Sequence, residues 1–230
     1  MKIAVISDIH SNLDAFDAVI ADLPKVDVIV CLGDIVGYGP QPNEVVEKVR
    51  ELRPVVVLSG NHDYAVSTGE IEGFSSHAAV AAKWTRKQLK QENLRYLSAL
   101  SPSSHLVLGG VRTSLFHASP RDPLGEYIYP WIPQSEADAL LEQGDGKLLL
   151  LGHTHIPMVY SSTKGILANP GSVGQPRDAI PKASYAIVTV SDSRVLVDIR
   201  RVTYNIGSTG EKIINAGLPR FLADRLYVGE

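Results

Sequence analysis

The stretch Lys2-Ile3-Ala4-Val5-Ile6-Ser7-Asp8-Ile9-His10-Ser11-Asn12 decides how the chain is to be read. A short apolar run that stops at Ser7 and Asp8 predicts a buried strand over Lys2–Ile6, with Asp8 and His10 just beyond its end. Leu13–Leu23 then places Leu13, Phe16, Ile20 and Leu23 on one helical face, with Asn12 as N-cap and Asp14 and Asp17 in the first turns. Asp27–Leu32 reads as a second buried strand. Asn43–Leu52 reads as a helix entered through Pro40 and Pro42 and stopped before Pro54, and Val55–Leu58 as a third strand. Strand and helix alternating in this way predict a right-handed, parallel α/β core.

Outward from that core, Ser76 to about Leu100 carries one helical pattern. Short β-rich runs follow at His105–Leu108, Arg112–Phe116, Leu148–Leu151, Met158–Tyr160, Tyr185–Val190 and Arg194–Val202. One helix falls near Ser135–Gln143, and a last one over Glu211–Leu226 is interrupted at Pro219. No repeat or Gly/Ser/Pro-rich linker divides the 230 residues. The expected architecture is a single domain over 1–230, with two packed mixed sheets flanked by helices in an α-β-β-α sandwich.

Composition excludes several classes. Apolar residues make up 44% and charged residues 20%, the balance of a globular chain rather than a disordered one. Lys and Arg number 22 against 25 Asp and Glu, a net charge of −3 with no basic block, which argues against a nucleic-acid polymer as partner. No apolar run nears the roughly 18–20 residues that span a bilayer, and the apolar start is too short for a signal-peptide core. The single cysteine, Cys31, has no internal disulfide partner and sits in a strand-like apolar run. The expectation is a cytoplasmic protein without a membrane role, with self-association left open.

Five of the seven histidines lie in polar clusters that directly follow buried runs: Asp8-Ile9-His10, Gly60-Asn61-His62-Asp63, His117 and Gly152-His153-Thr154-His155; Gly33-Asp34 is a further such cluster. Ligands of parallel α/β sheets gather at the carboxyl ends of the strands, so the clusters are expected at one place. Each is weak alone, since Gly-Asp is a common turn and a lone histidine is usually a satisfied core residue. In order and in shared context they predict a metal site. Carboxylate, imidazole and amide donors without thiolate suit Mn, Fe, Zn, Ni or Co.

The ordered set resembles the calcineurin-like metallophosphoesterase superfamily. Asn169-Pro170-Gly171-Ser172-Val173-Gly174-Gln175-Pro176-Arg177 extends the likeness to its compact prokaryotic branch. The resemblance implies two divalent ions, one held by Asp8, His10, Asp34 and His155 and the other by Asp34, Asn61, His117 and His153, with Asp34 bridging. It implies hydrolysis of small organic phosphate esters, phosphodiesters favoured, by in-line attack of a metal-bridging hydroxide with His62 as general acid. Asp63 is expected either to hold the imidazole or to cap a turn. Arg177, Arg121 and Tyr38 are the candidates for substrate binding. Arg121 has a local pairing with Asp122 as its alternative. Tyr127, Tyr129 and Trp131 could wall the pocket, with packing as the default reading, and His77, which opens the long helix, could face the site or solvent.

Departures from the family narrow the activity. The protein Ser/Thr phosphatases carry Gly-Asp-x-x-Asp-Arg-Gly, whereas this chain reads Gly33-Asp34-Ile35-Val36-Gly37-Tyr38-Gly39. Gly37 also stands where purple acid phosphatases place a ligating tyrosine. A phosphomonoesterase or nucleotide pyrophosphatase using the same residues is the enzymatic alternative. A non-catalytic protein-binding scaffold on the same fold is the alternative of another class.

Overall fold

A computed structural model describes residues 1–191 and 194–230. Strand β1 (Lys2–Ile6) shows how the sequence builds the layers. Its side chains alternate faces: Ile3 and Val5 enter one buried cluster, and Ala4 and Ile6 enter another. β2 (Val28–Cys31) and β3 (Val56–Val57) run parallel to it, as expected. β9 (Ala183–Ser191) and β10 (Arg194–Val202) add antiparallel strands on its other side, giving the order β10-β9-β1-β2-β3.

The second sheet contains β4 (Ser103–Leu108), β5 (Val111–Phe116), β6 (Leu148–Leu150), β7 (Met158–Ser161) and β8 (Ile166–Asn169) in the order β4-β5-β6-β8-β7. Its central trio β5, β6 and β8 is parallel. Leu115, Leu148 and Leu150 meet Ile3, Val5, Val30 and Leu32 in the cluster between the sheets. Leu149 and Leu151 face outward onto Leu140 and Leu141 of helix α6 (Gln134–Gly144). On the other side, Phe16 and Val19 of α1 (Leu13–Asp22) and Val45, Val46 and Val49 of α2 (Pro42–Leu52) cover the first sheet. The result is the expected sandwich of two mixed sheets between helices. Cys31 is buried and free, and burial raises its thiol to about 12.

Four parts of the chain depart from the sequence reading. The stretch from Ser76 is two helices, α4 (Ser76–Gln88) and α5 (Gln91–Ser98). Asn43 of α2 supplies the break: its Nδ2 donates to the Gln88 carbonyl at 2.9 Å, and its Oδ1 accepts from the Lys90 N–H at 2.8 Å. The interruption is a long-range contact with no proline or glycine to announce it. Strand β8 and helix α3 (Asn61–Thr68) had no sequence signal. β8 is short and follows Gly165, and α3 lacks an apolar stripe. The last helix is instead α7 (Ile206–Asn215), then α8 (Arg220–Asp224) and a 3-10 turn over Arg225–Tyr227. Gly207 and Gly210 disfavour helix by roughly 1 kcal/mol each relative to alanine, but the Asn205 cap on the Ser208 N–H and the packing of Ile213 overcome that.

Candidate metal centre

All six parallel strands point their carboxyl ends at one edge, and the loops beyond them interlock. Asp8 N–H donates to Gly33 O at 2.9 Å, and His10 N–H to Asp34 O at 3.0 Å. Gly152 N–H donates to His117 O at 2.8 Å, and Gly174 N–H to Asp8 O at 3.0 Å. Asp8, His10, Ser11, Asp34, Tyr38, His153 and His155 all have positive φ, between 50° and 67°. For a residue with a Cβ this conformation costs roughly 1–2 kcal/mol. Such strain persists only where the surroundings over-determine it, and it clusters at functional sites.

The side chains converge accordingly. His155 Nε2 lies 3.3 Å from Asp8 Oδ1, and His10 Nε2 lies 3.4 Å from Asp34 Oδ2. His117 Nε2 is 3.6 Å from Asp34 Oδ2 and 3.2 Å from Asn61 Oδ1, which also lies 3.0 Å from His153 Nδ1. Asp8, His10, Asp34 and His155 form one group able to hold a metal, and Asp34, His117 and His153 form another. Asp34 belongs to both.

Hydrogen bonding fixes what these groups offer. His10, His117 and His155 each place Nδ1 against a backbone carbonyl, of Val36 at 3.1 Å, Leu32 at 2.8 Å and Gln175 at 2.5 Å. Each Nδ1 therefore carries the proton and each Nε2 presents a lone pair inward. The Nε2 lone pairs of His10 and His155 then face each other at 3.0 Å. Asp8 Oδ1 beside them has no hydrogen-bond donor. Acceptors packed this closely repel unless a cation lies among them, so the residues present fit a divalent metal.

Burial drives the titration behaviour. His10, His62 and His155 are held well below the ordinary imidazole value, chiefly by desolvation and then by His155 for His10 and by Arg177 for His62 and His155. His117 is also lowered by burial, and His153 falls to about 3. Asp34 is pushed well above the usual carboxylate range by burial and then by Asp8. The site thus favours neutral imidazoles, the form that ligates metal.

The remaining candidates separate. His62 stands at the start of α3, with its ring 4.4 Å from Tyr38 and 4.7 Å from Phe74, and its buried Nδ1 is unpartnered. Gly37 makes room for it: φ is 93°, and a Cβ there would lie 2.6 Å from His62 Nδ1. Asp63 does not hold that imidazole. Its carboxylate accepts from the backbone N–H groups of Ile35, Val36 and Gly60 at 3.2, 3.0 and 3.0 Å, so it joins the Asp34 loop to the start of α3. Of its two expected roles, it takes the turn-capping one. Arg177 Nη2 donates to Gln175 Oε1 at 3.0 Å and to the Tyr38 hydroxyl at 3.4 Å. Arg121 is held elsewhere, by Glu126 at 2.6 Å and Glu136 at 2.8 Å, and not by Asp122.

A cavity of about 820 Å³ opens onto this centre, lined among others by Tyr38, Asn61, His62, Tyr127, His153 and Arg177. Tyr127 lies over His153 at 4.1 Å and leads into a stack through Tyr129 to Trp131, which is 72% exposed. His77 also lines the cavity, stacked on Phe221 at 4.7 Å. Arg225 reaches it from the C-terminal turn. Sequence reading had not selected Arg225, because nothing local ties residue 225 to loops that begin at residue 8.

Comparison with known proteins agrees with this geometry. A family model described as the calcineurin-like phosphoesterase superfamily domain matches residues 1–193. An uncharacterized protein of Methanocaldococcus jannaschii, MJ0912, is 42% identical, the match covering 99% of this chain and 98% of that protein. The crystal structure of a metallophosphoesterase from Sphaerobacter thermophilus superposes with a TM-score of 0.87 at 38% identity, covering 100% of this chain and 99% of that one. The phosphodiesterase YfcE of Escherichia coli is 24% identical over 86% of this chain and 97% of its own length.

Proposed function

The chain belongs to the calcineurin-like phosphoesterase superfamily, and from that premise we propose that it is a dinuclear metal-dependent hydrolase of small organic phosphate esters, with phosphodiesters favoured. The observation that carries this reading is the Asp34 carboxylate shared between two ligand groups, buried behind Asn61 and His153, which line a cavity together with His62 and Arg177. One ion would be held by Asp8, His10, Asp34 and His155, and the second by Asp34, Asn61, His117 and His153. When bound, such a pair lowers the pKa of water and neutralises charge on phosphoryl oxygens.

The protein's own groups supply the rest. Arg177 offers a planar fork to a non-bridging phosphoryl oxygen and is steadied by Gln175 and Tyr38. His62 lines the cavity with its buried Nδ1 turned toward Gly37, and among the described residues no protein group hydrogen-bonds its ring, so the ring is free to serve substrate. Burial and then the Arg177 charge hold its imidazole well below the ordinary value. A phosphate ester held by Arg177 brings the negative charge that favours the imidazolium, which then donates its proton to the departing alkoxide. A general acid of this kind contributes about 10²–10⁴-fold. Tyr38 and Tyr127 give the organic group flat faces to pack on.

YfcE bears the name phosphodiesterase, which supports the diester preference. Phosphomonoesters and nucleotide anhydrides would meet the same groups. The partner is then a small phosphorylated molecule, and neither a membrane nor a nucleic-acid polymer is needed. The test is metal analysis of the purified chain, together with hydrolysis of an aryl phosphodiester after Mn²⁺ addition. Absence of both bound transition metal and Mn²⁺-dependent turnover would refute the reading.

A further inference from the structure

The cavity holds more positive charge than one phosphoryl group requires. Arg177 and Arg225 both line it, and among the described residues neither makes an ion pair with a carboxylate side chain. Arg225 donates Nε–H to the Glu230 carbonyl oxygen, and its terminal nitrogens have no protein acceptor among the described residues. Aromatic rings set both guanidinium groups: Arg225 lies over Phe221 at 5.1 Å and Arg177 over Tyr38 at 5.8 Å. Arg225 is lowered to about 10, first by burial and then by Arg177. The acidic residues on the same cavity, Glu70, Glu72 and Asp122, are exposed at its mouth, whereas Arg225 is half-buried. Glu230 meets only the Nε side of Arg225, so the terminal nitrogens of both guanidinium groups keep donors to offer an anion in the cavity.

We propose that Arg225 extends the cradle of Arg177 to a second phosphoryl group, Arg177 holding the first and Arg225 the second, so that the preferred substrate carries two phosphoryl groups joined by a short link. This rests on the phosphoesterase reading and goes beyond it by naming the substrate class. The guanidinium fork matches phosphate oxygens in pairs. The C-terminal turn that carries Arg225 lies beyond residue 193, where the match to the family model ends.

The test is calorimetric titration of the full chain, freed of metal, with inorganic phosphate and with pyrophosphate. A charge-assisted hydrogen bond predicts that pyrophosphate binds about tenfold or more tighter than phosphate. Arg225→Gln should remove that advantage, and Arg225→Lys should restore part of it. Equal affinities in the unaltered protein, no measurable pyrophosphate binding, or an advantage that survives Arg225→Gln would overturn the proposal. If Arg225→Gln fails to fold, phenylglyoxal labelling of the unaltered protein decides. Pyrophosphate should shield Arg225 where phosphate does not, and equal labelling refutes the cradle. Intact aryl diester hydrolysis with failed binding ratios would remove only the second subsite. Absent hydrolysis would remove the phosphoesterase reading itself.

Discussion

At the residue scale, Asp34 and His62 do different work although both are buried at the same cavity. Asp34 Oδ2 faces His10 on one side and His117 on the other, while Oδ1 accepts the His62 N–H at 2.8 Å. Asp34→Asn should therefore lower metal content at both groups together, as read by metal analysis, and loss of a single ion would contradict the bridging role. His62 takes no part in either ligand group. His62→Ala is expected to keep the metals and lose about 10²–10⁴-fold in turnover, most of all for esters with poor leaving groups. Equal loss for good and poor leaving groups would argue against proton donation. Asp8, His10, Asp34, Asn61, His117, His153 and His155 were legible because their types and order carry the chemistry. The use of Asp63 and Arg121 was not, because a side chain's partner is chosen by whichever neighbour the fold brings within reach.

At the scale of elements, the Asp63 carboxylate is the link between two loops. It satisfies three backbone N–H groups that would otherwise be buried without acceptors, and one such orphan costs about 1–3 kcal/mol. Asp63→Ala should lower the unfolding midpoint and shift the Asp34 loop, so that metal affinity falls with stability. A stable variant with full metal affinity would contradict this. Most elements could be read from apolar runs and their stops, because β1, β2 and β6 are short buried strands and α1 and α2 are amphipathic. The exceptions share one cause. The break at Leu89–Lys90 is set by Asn43, α3 is set by Asp63 from within its own first turn and by the loop it meets, and α7 forms across Gly207 and Gly210 because Ile213 has a core to enter.

Across the whole molecule, stability and the metal centre are linked. His10, His62, His117, His153 and His155 bind protons less readily folded than unfolded. A lowered folded value means that their contribution is present above the unfolded pKa of about 6.5 and is lost as pH falls. Asp34 and Asp63 are raised, Asp63 to about 6, and act in the opposite sense, losing their contribution as pH rises through the folded value. Five imidazoles outnumber two carboxyls, so the thermal midpoint of the metal-free protein should fall between pH 7 and pH 5. A flat midpoint over that window would contradict the assignment of neutral buried imidazoles. Restoring metal at about a hundredfold excess over its Kd should stabilise the fold by about 2.7 kcal/mol, read as a rise in midpoint that chelation reverses. No rise would mean that the ligand groups bind no ion.

The sequence by itself determined the α/β class, the strand ends on which chemistry sits and the donor types offered there, because apolar periodicity and residue chemistry are local properties. The tertiary structure alone decided which nitrogen of His10, His117 and His155 faces inward, that Asp63 holds backbone rather than imidazole, and that Arg225 joins Arg177 at one cavity. Those outcomes depend on distances between residues far apart in the chain, and such distances exist only once both sheets have packed and brought their strand ends to a common edge.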